Sequence, residues 1–134
     1  VTTTPAADAS AFSSTFAVRK PIIGMIHLRG DDDAQKLAIA VDEIDQLMAG
    51  GVDAVLVEDY FGPVEVVERV LAHLASERPA VPFGVNILRD FAHSFRLAGR
   101  YGGRFVQIDA VAGHLPPDED VAFAARMAEL RGET

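Results

Sequence analysis

Four apolar runs of strand length divide this chain, and each is followed by a stretch able to form a helix. They are Pro21–Leu28 (PIIGMIHL), Asp53–Tyr60 (DAVLVEDY), Pro82–Arg89 (PFGVNILR) and Arg104–Ala110 (RFVQIDA). Strands alternating with helices predict a parallel sheet, because parallel neighbours need a crossover between them. The runs are apolar almost throughout, which fits strands covered on both faces. Each ends in polar residues, and in parallel α/β folds ligands bind beyond the carboxyl ends of the strands. Four units make half of a closed (β/α)8 barrel, which takes eight.

The helical stretches carry their own start and stop signals. From Ala34 to Ala49, Leu37, Ala40, Val41, Ile44, Leu47 and Met48 recur at three- and four-residue steps, with Lys36, Asp42, Glu43, Asp45 and Gln46 opposite. Asp31, Asp32 and Asp33 supply an N-cap, and Gly50-Gly51 a left-handed stop. A second helix opens at Gly62-Pro63 and buries Val64, Val67, Leu71 and Leu74. A third takes Asp90 as its cap, buries Phe91, Phe95 and Ala98, and stops at Gly102-Gly103. A fourth follows Pro116-Pro117, is capped by Asp118, and has one stripe of Val121, Ala124, Ala125 and Ala128. A second apolar face there, Phe123, Met127 and Leu130, predicts a second packing partner.

With 134 residues, half of them hydrophobic, the chain can bury a real core. It has no cysteine, which excludes disulfides, thiolate metal sites and a cysteine nucleophile. Its net charge of −8, without a Lys/Arg-rich run, argues against nucleic acid or an anionic membrane as partner. No apolar run approaches the roughly 20 residues of a membrane span. Residues 1–19 are rich in Ser, Thr and Ala and lack the basic start of a signal peptide. They are expected to be a disordered leader ahead of a 20–134 domain, in a soluble, cytoplasmic protein.

Period-two alternation sorts the strand side chains into faces. Ile23, Met25 and His27 share one; Ala54, Leu56 and Glu58 another; Gly84, Asn86 and Leu88 a third; Phe105, Gln107 and Asp109 a fourth. Pointed into a barrel, these faces bring His27, Glu58, Asn86, Gln107 and Asp109 into its upper layers. His27 then suits a general base or metal ligand, against the alternative of a hydrogen-bonded layer histidine. Glu58 and Asp59 are adjacent carboxylates that suit acid–base work or a divalent cation, or a strand-end salt bridge or helix cap. Adjacent strand residues point oppositely, so Glu58 is the one expected in the site. Arg89 can reach an anionic ligand or pair with Asp90 or Asp59, and Gln107 with Asp109 can orient a substrate. The expected catalytic set is His27, Glu58 and Asp109; the expected substrate-binding set is Asn86, Arg89 and Gln107. Metal and cofactor stay unassigned. His73, His93 and His114 lack metal-ligand spacing and are expected to be structural.

KPIIGMIHL at Lys20–Leu28, GGVDAVLVEDY at Gly50–Tyr60 and PFGVNILRD at Pro82–Asp90 resemble, in order, the first three strands of the BtpA family. The resemblance runs from about Lys20 to Arg131. It implies an α/β fold in which (β/α) repeats form about half of a TIM barrel of the ribulose-phosphate-binding type. Four parallel strands would carry helices on their outer face. The family's name comes from a role in photosystem I biogenesis, and the resemblance implies no defined reaction. The chain departs from the family pattern at the strand ends. Glu58-Asp59 replaces Glu-Asn, Gln107 and Asp109 replace Arg and Asn, and Arg29–Asp33 replaces a longer loop containing Leu-Pro-Gly.

Two classes of function fit these residues. One is an enzyme acting on a small, phosphorylated or unphosphorylated, metabolite at the strand ends. The other is a non-catalytic assembly factor, or the remnant of a TIM-barrel enzyme. A free-standing flavodoxin-like sheet fits less well, since it lacks a fifth strand and a phosphate-cradling glycine loop. Four parallel strands also leave two unpaired edges and an inner face of Ile23, Met25, Leu56 and Leu88. Self-association or a second half-barrel is therefore expected.

Overall fold

The computed structural model describes residues 9–109 and 119–133. The elements in chain order are α1 (Ala9–Thr15), β1 (Ile23–Ile26), α2 (Asp33–Ala49), β2 (Ala54–Glu58) and α3 (Val64–Glu77). They continue with β3 (Phe83–Asn86), α4 (Phe91–Tyr101), β4 (Phe105–Val106) and α5 (Asp120–Glu133). The four strands form one parallel sheet in the order β1-β2-β3-β4. Sequential order with a helix between each pair of strands is the arrangement of half a TIM barrel.

The helices cover one face of this sheet. Ile26, Leu28, Val55, Val57, Phe83, Val85 and Ile87 point into them and meet Ala40 and Ile44 of α2, Val66 to Leu74 of α3, and Leu97 and Ala98 of α4. These are the residues one step out of phase with His27, Glu58 and Asn86. The other face is uneven. Ile23 and Met25 on β1 are each 37% exposed, whereas Leu56 on β2 is 2% exposed. Leu56 is paired with Met25 on one side and with Gly84 on the other, and the Phe105 ring fills the space over Gly84.

The punctuation of the helices is local chemistry. Asp32 caps α2 by accepting the Gln35 N–H at 2.8 Å, and Asp90 caps α4 by accepting the His93 N–H at 2.9 Å. Gly51 (φ +91°) follows α2, and Gly102 (φ +81°) ends α4 in the left-handed conformation glycine tolerates. In α5, Leu130 is buried and Phe123 packs edge-on against Phe91 of α4 with centroids 5.4 Å apart. The stripe of Val121, Ala124, Ala125 and Ala128 is exposed. The expected cap Asp118, with Pro116, Pro117, Ala110 and His114, lies outside the described residues.

Two differences from expectation concern the ends of the sheet. Within the stretch expected to be a disordered leader, residues 9–15 are helical. Phe12 and Phe16, four residues apart, stack with centroids 5.1 Å apart, and Phe16 reaches Phe105 at 5.6 Å. A composition rich in Ser, Thr and Ala hid this aromatic pair. β4 is the second difference, with two residues where seven were expected, although Gln107 N–H still donates to Val85 O at 3.1 Å. No helix among the described residues is long and apolar enough to cross a membrane.

Phe105 explains a glycine at the heart of β3. Its ring lies where a side chain at Gly84 would have to stand, and the two residues are register partners. Gly84→Ala should therefore cost about 1–3 kcal/mol by overpacking. Urea denaturation should show a smaller cost for the same change in a Phe105→Leu background. Equal costs in both backgrounds would mean that Phe105 does not hold this position.

Candidate functional site

The register places three polar side chains side by side at the carboxyl ends of β1, β2 and β3. Ile26 pairs with Val57, which carries His27 alongside Glu58, and Glu58 pairs with Asn86 directly. His27 Nε2 lies 3.2 Å from Glu58 Oε2, and Asn86 Nδ2 donates to Glu58 Oε1 at 2.9 Å. Both oxygens of one carboxylate are thus engaged, from opposite neighbouring strands. Glu58 is 6% exposed and Asn86 is 1% exposed, while the His27 side chain is 43% exposed. The imidazole is the part of this row that solvent or a ligand can reach.

Burial pushes the Glu58 carboxyl above its ordinary value, because the interior disfavours the charged form. His27 opposes this shift, the carboxylates of Asp109 and Asp59 add to it, and the Asn86 hydrogen bond opposes it. Asp109 is therefore close enough to be felt electrostatically, and it is exposed. Gln107 is exposed too. Arg89 is exposed and makes no ion pair among the described residues, so the alternative pairings with Asp90 and Asp59 are not formed.

Asp59 has a different task from Glu58. Its Oδ1 accepts the Leu88 N–H at 2.7 Å, which ties the end of β2 to the end of β3. Ser94 of α4 makes a second tie, accepting the Ile87 N–H at 2.7 Å through a hydroxyl with no solvent exposure. The turn that follows β1 is held as firmly. Leu28 is fully buried at φ +61°, and Arg89 after β3 has φ +66°. They are the non-glycine residues with positive φ among the described residues, and each such residue costs of order 1–3 kcal/mol. Both stand at strand ends next to the polar row.

Two aromatic residues complete the site, and the sequence reading passed over them. Tyr60 packs on His27 with ring centroids 5.2 Å apart, and Phe61 meets Tyr60 edge-on at 4.6 Å and His27 edge-on at 6.3 Å. Both rings are 58% exposed. Their signal was available: two aromatic residues directly after a strand-end carboxylate pair, in a loop, where no core demands them. Among the described residues no group of three or more His, Asp and Glu side chains is placed to hold a metal ion.

Residues 18–130 match the BtpA family across all four βα units. The chain belongs to the BtpA family. It is 28% identical over 124 residues to the photosystem I biogenesis protein BtpA of Synechocystis sp., covering 78% of this chain and 43% of that one. It is 30% identical over 135 aligned positions to an uncharacterized protein of Thermococcus kodakarensis, covering 84% of this chain and 51% of the relative. A protein of Methanocaldococcus jannaschii, also uncharacterized, is 26% identical with the same two coverages. The chain thus spans about half the length of the curated relatives it matches. No solved structure matches it.

The raised Glu58 pKa has a checkable consequence for stability. A carboxyl whose folded pKa lies above the unfolded one binds its proton more tightly when folded. The resulting stability is fully present below the ordinary value of 4.5 and is lost as pH rises through the raised folded value. Urea midpoints measured across this window should therefore fall with pH more steeply for the wild type than for Glu58→Gln. Parallel curves would mean that Glu58 titrates as an ordinary carboxylate.

Proposed function

We propose that this BtpA-family chain contributes an acid–base site that acts on a small metabolite at the carboxyl ends of its strands. The observation that carries the proposal is the contact between His27 and a buried carboxylate braced by Asn86. A carboxylate at 3.2 Å from Nε2 stabilises the imidazolium that forms when His27 takes a proton. The other ring nitrogen, Nδ1, bonds to no described residue and is the atom that would exchange a proton with the ligand. Glu58 then acts through His27, and Asn86 acts through Glu58.

The remaining strand-end residues have supporting roles in this proposal. Asp109 is a second carboxylate within electrostatic reach of Glu58 and serves as the complementary acid or base. Gln107 orients the substrate. Arg89, without an ion pair among the described residues, takes an anionic group such as a phosphate. The sheet is completed by four further strands, from a second copy or from the remainder of a longer protein. The exposure of Ile23 and Met25 on the β1 edge supports this; the chain also holds cavities of about 530 Å3 beside Met25, Leu47 and Val52 and about 490 Å3 beside Phe16, Phe95 and Phe105. The first lies between β1 and α2, and the second between β4 and residues of α1, α4 and α5.

A non-catalytic assembly role is the second reading. The exposed stripe on α5, with Val121 80% exposed, favours it, as does the name of the Synechocystis relative, a photosystem I biogenesis protein. Incubation of the full chain with a pool of free and phosphorylated metabolites, followed by mass spectrometry, separates the two. The enzyme reading predicts turnover that falls about 100-fold or more in His27→Gln, well beyond any change in thermal unfolding. Absence of turnover, or losses that merely track stability, would favour the assembly reading.

A further inference from the structure

The corner formed by Tyr60, Phe61 and His27 is built like a binding surface rather than a piece of core. Rings in a core are covered, and these two are 58% exposed. Nor are they placed on a loosely tethered loop. The Phe61 N–H donates to His27 O at 3.0 Å, which fastens the loop to the end of β1. Gly62 lies against Leu28 so closely that an added Cβ would stand 2.9 Å from the Leu28 Cβ. Pro63, at φ −72°, then leads into α3 and removes a further freedom.

Rigid, exposed aromatic surface loses little entropy when a ligand covers it. The three rings are not coplanar. Phe61 stands at 83° to Tyr60 and at 90° to His27, so together they make a notch with aromatic walls. Beside one wall is the imidazole that Glu58 holds. A flat ligand ring lying on Tyr60 would thus have its edge groups beside the proton-exchanging residue.

We propose that Tyr60 and Phe61 form a stacking subsite for a ring-bearing substrate, whose flat face packs on the aromatic notch while an edge hydroxyl or amine meets His27. The proposal rests on the acid–base reading of His27. The shared chemistry is the flat face, which a sugar ring offers through its C–H groups and a nucleobase through its π system. The loop between β2 and α3 is then the element that selects substrate shape, and an open-chain polyol is rejected because it presents no such face.

The experiment is saturation-transfer NMR on the full chain with three probes, methyl β-glucopyranoside, adenosine and sorbitol. At least one cyclic probe should bind with saturation concentrated on its ring protons, and sorbitol should not bind. Tyr60→Ala should weaken that binding about tenfold or more, a loss of the size expected for one stacked ring. Tyr60→Trp should retain it, and the chain has no other tryptophan, so quenching of the new fluorescence gives an independent affinity. Adenosine binding alone points to a nucleobase, and glucoside binding alone to a sugar. Failure of both cyclic probes, equal binding of sorbitol, or indifference to Tyr60→Ala overturns the proposal. The two claims fail separately: Tyr60-dependent binding of a cyclic probe without any turnover overturns the acid–base reading alone, and turnover without such binding overturns the stacking subsite alone.

Discussion

One carboxylate, that of Glu58, connects three strands of this sheet. It is buried, both its oxygens are engaged, and the groups that engage them arrive from β1 and β3. A buried charge is costly unless it is paired and hydrogen-bonded, so the register of both neighbouring strands has to be held accurately at this level. A slip of one residue in β1 would turn His27 toward the helices, and a slip in β3 would do the same to Asn86. The site and the sheet order therefore constrain each other. The ties at Asp59 and Ser94 fasten the backbone ends of β3 with hydrogen bonds, and the positive-φ residues Leu28 and Arg89 turn the chain immediately past the row.

Much of this was legible in the sequence. The strand and helix order follows from hydrophobic runs and glycine stops, and alternation assigns His27, Glu58 and Asn86 to one face because a pleated strand has a period of two. What alternation cannot supply is the length of a ladder. β4 has two residues rather than seven, because pairing depends on the neighbour's geometry as well as on the strand's own apolar character. The aromatic corner was hidden for another reason. Tyr60 closes the run Asp53–Tyr60 and Phe61 follows it, and their place against His27 depends on the Gly62-Pro63 turn lying on Leu28. Likewise Asp59 reads as half of a carboxylate pair, and its bond to the Leu88 N–H depends on a strand remote in sequence.

The chain matches relatives about twice its length, and apolar side chains are exposed at one edge of its sheet. Helices α2, α3 and α4 cover one face of the sheet, and on the opposite face the Phe105 ring lies over Gly84 and is met by Phe16. Leu56 in β2, between Met25 and Gly84, is buried, whereas Ile23 and Met25 on the edge strand are partly exposed. Exposure therefore rises toward the β1 edge, where a closed barrel would place another strand. The polar row is less affected, since His27, Glu58 and Asn86 come entirely from the first three strands and support one another without a fourth.

The central claim is that His27 and the buried Glu58 carboxylate are electrostatically coupled. Carboxyl-carbon NMR of Glu58 across a pH titration measures this directly. The account predicts a midpoint above 4.5 in the wild type, and a higher one in His27→Gln, where the imidazole no longer favours the charged form. A midpoint at or below 4.5, or one that does not move when His27 is replaced, would contradict it.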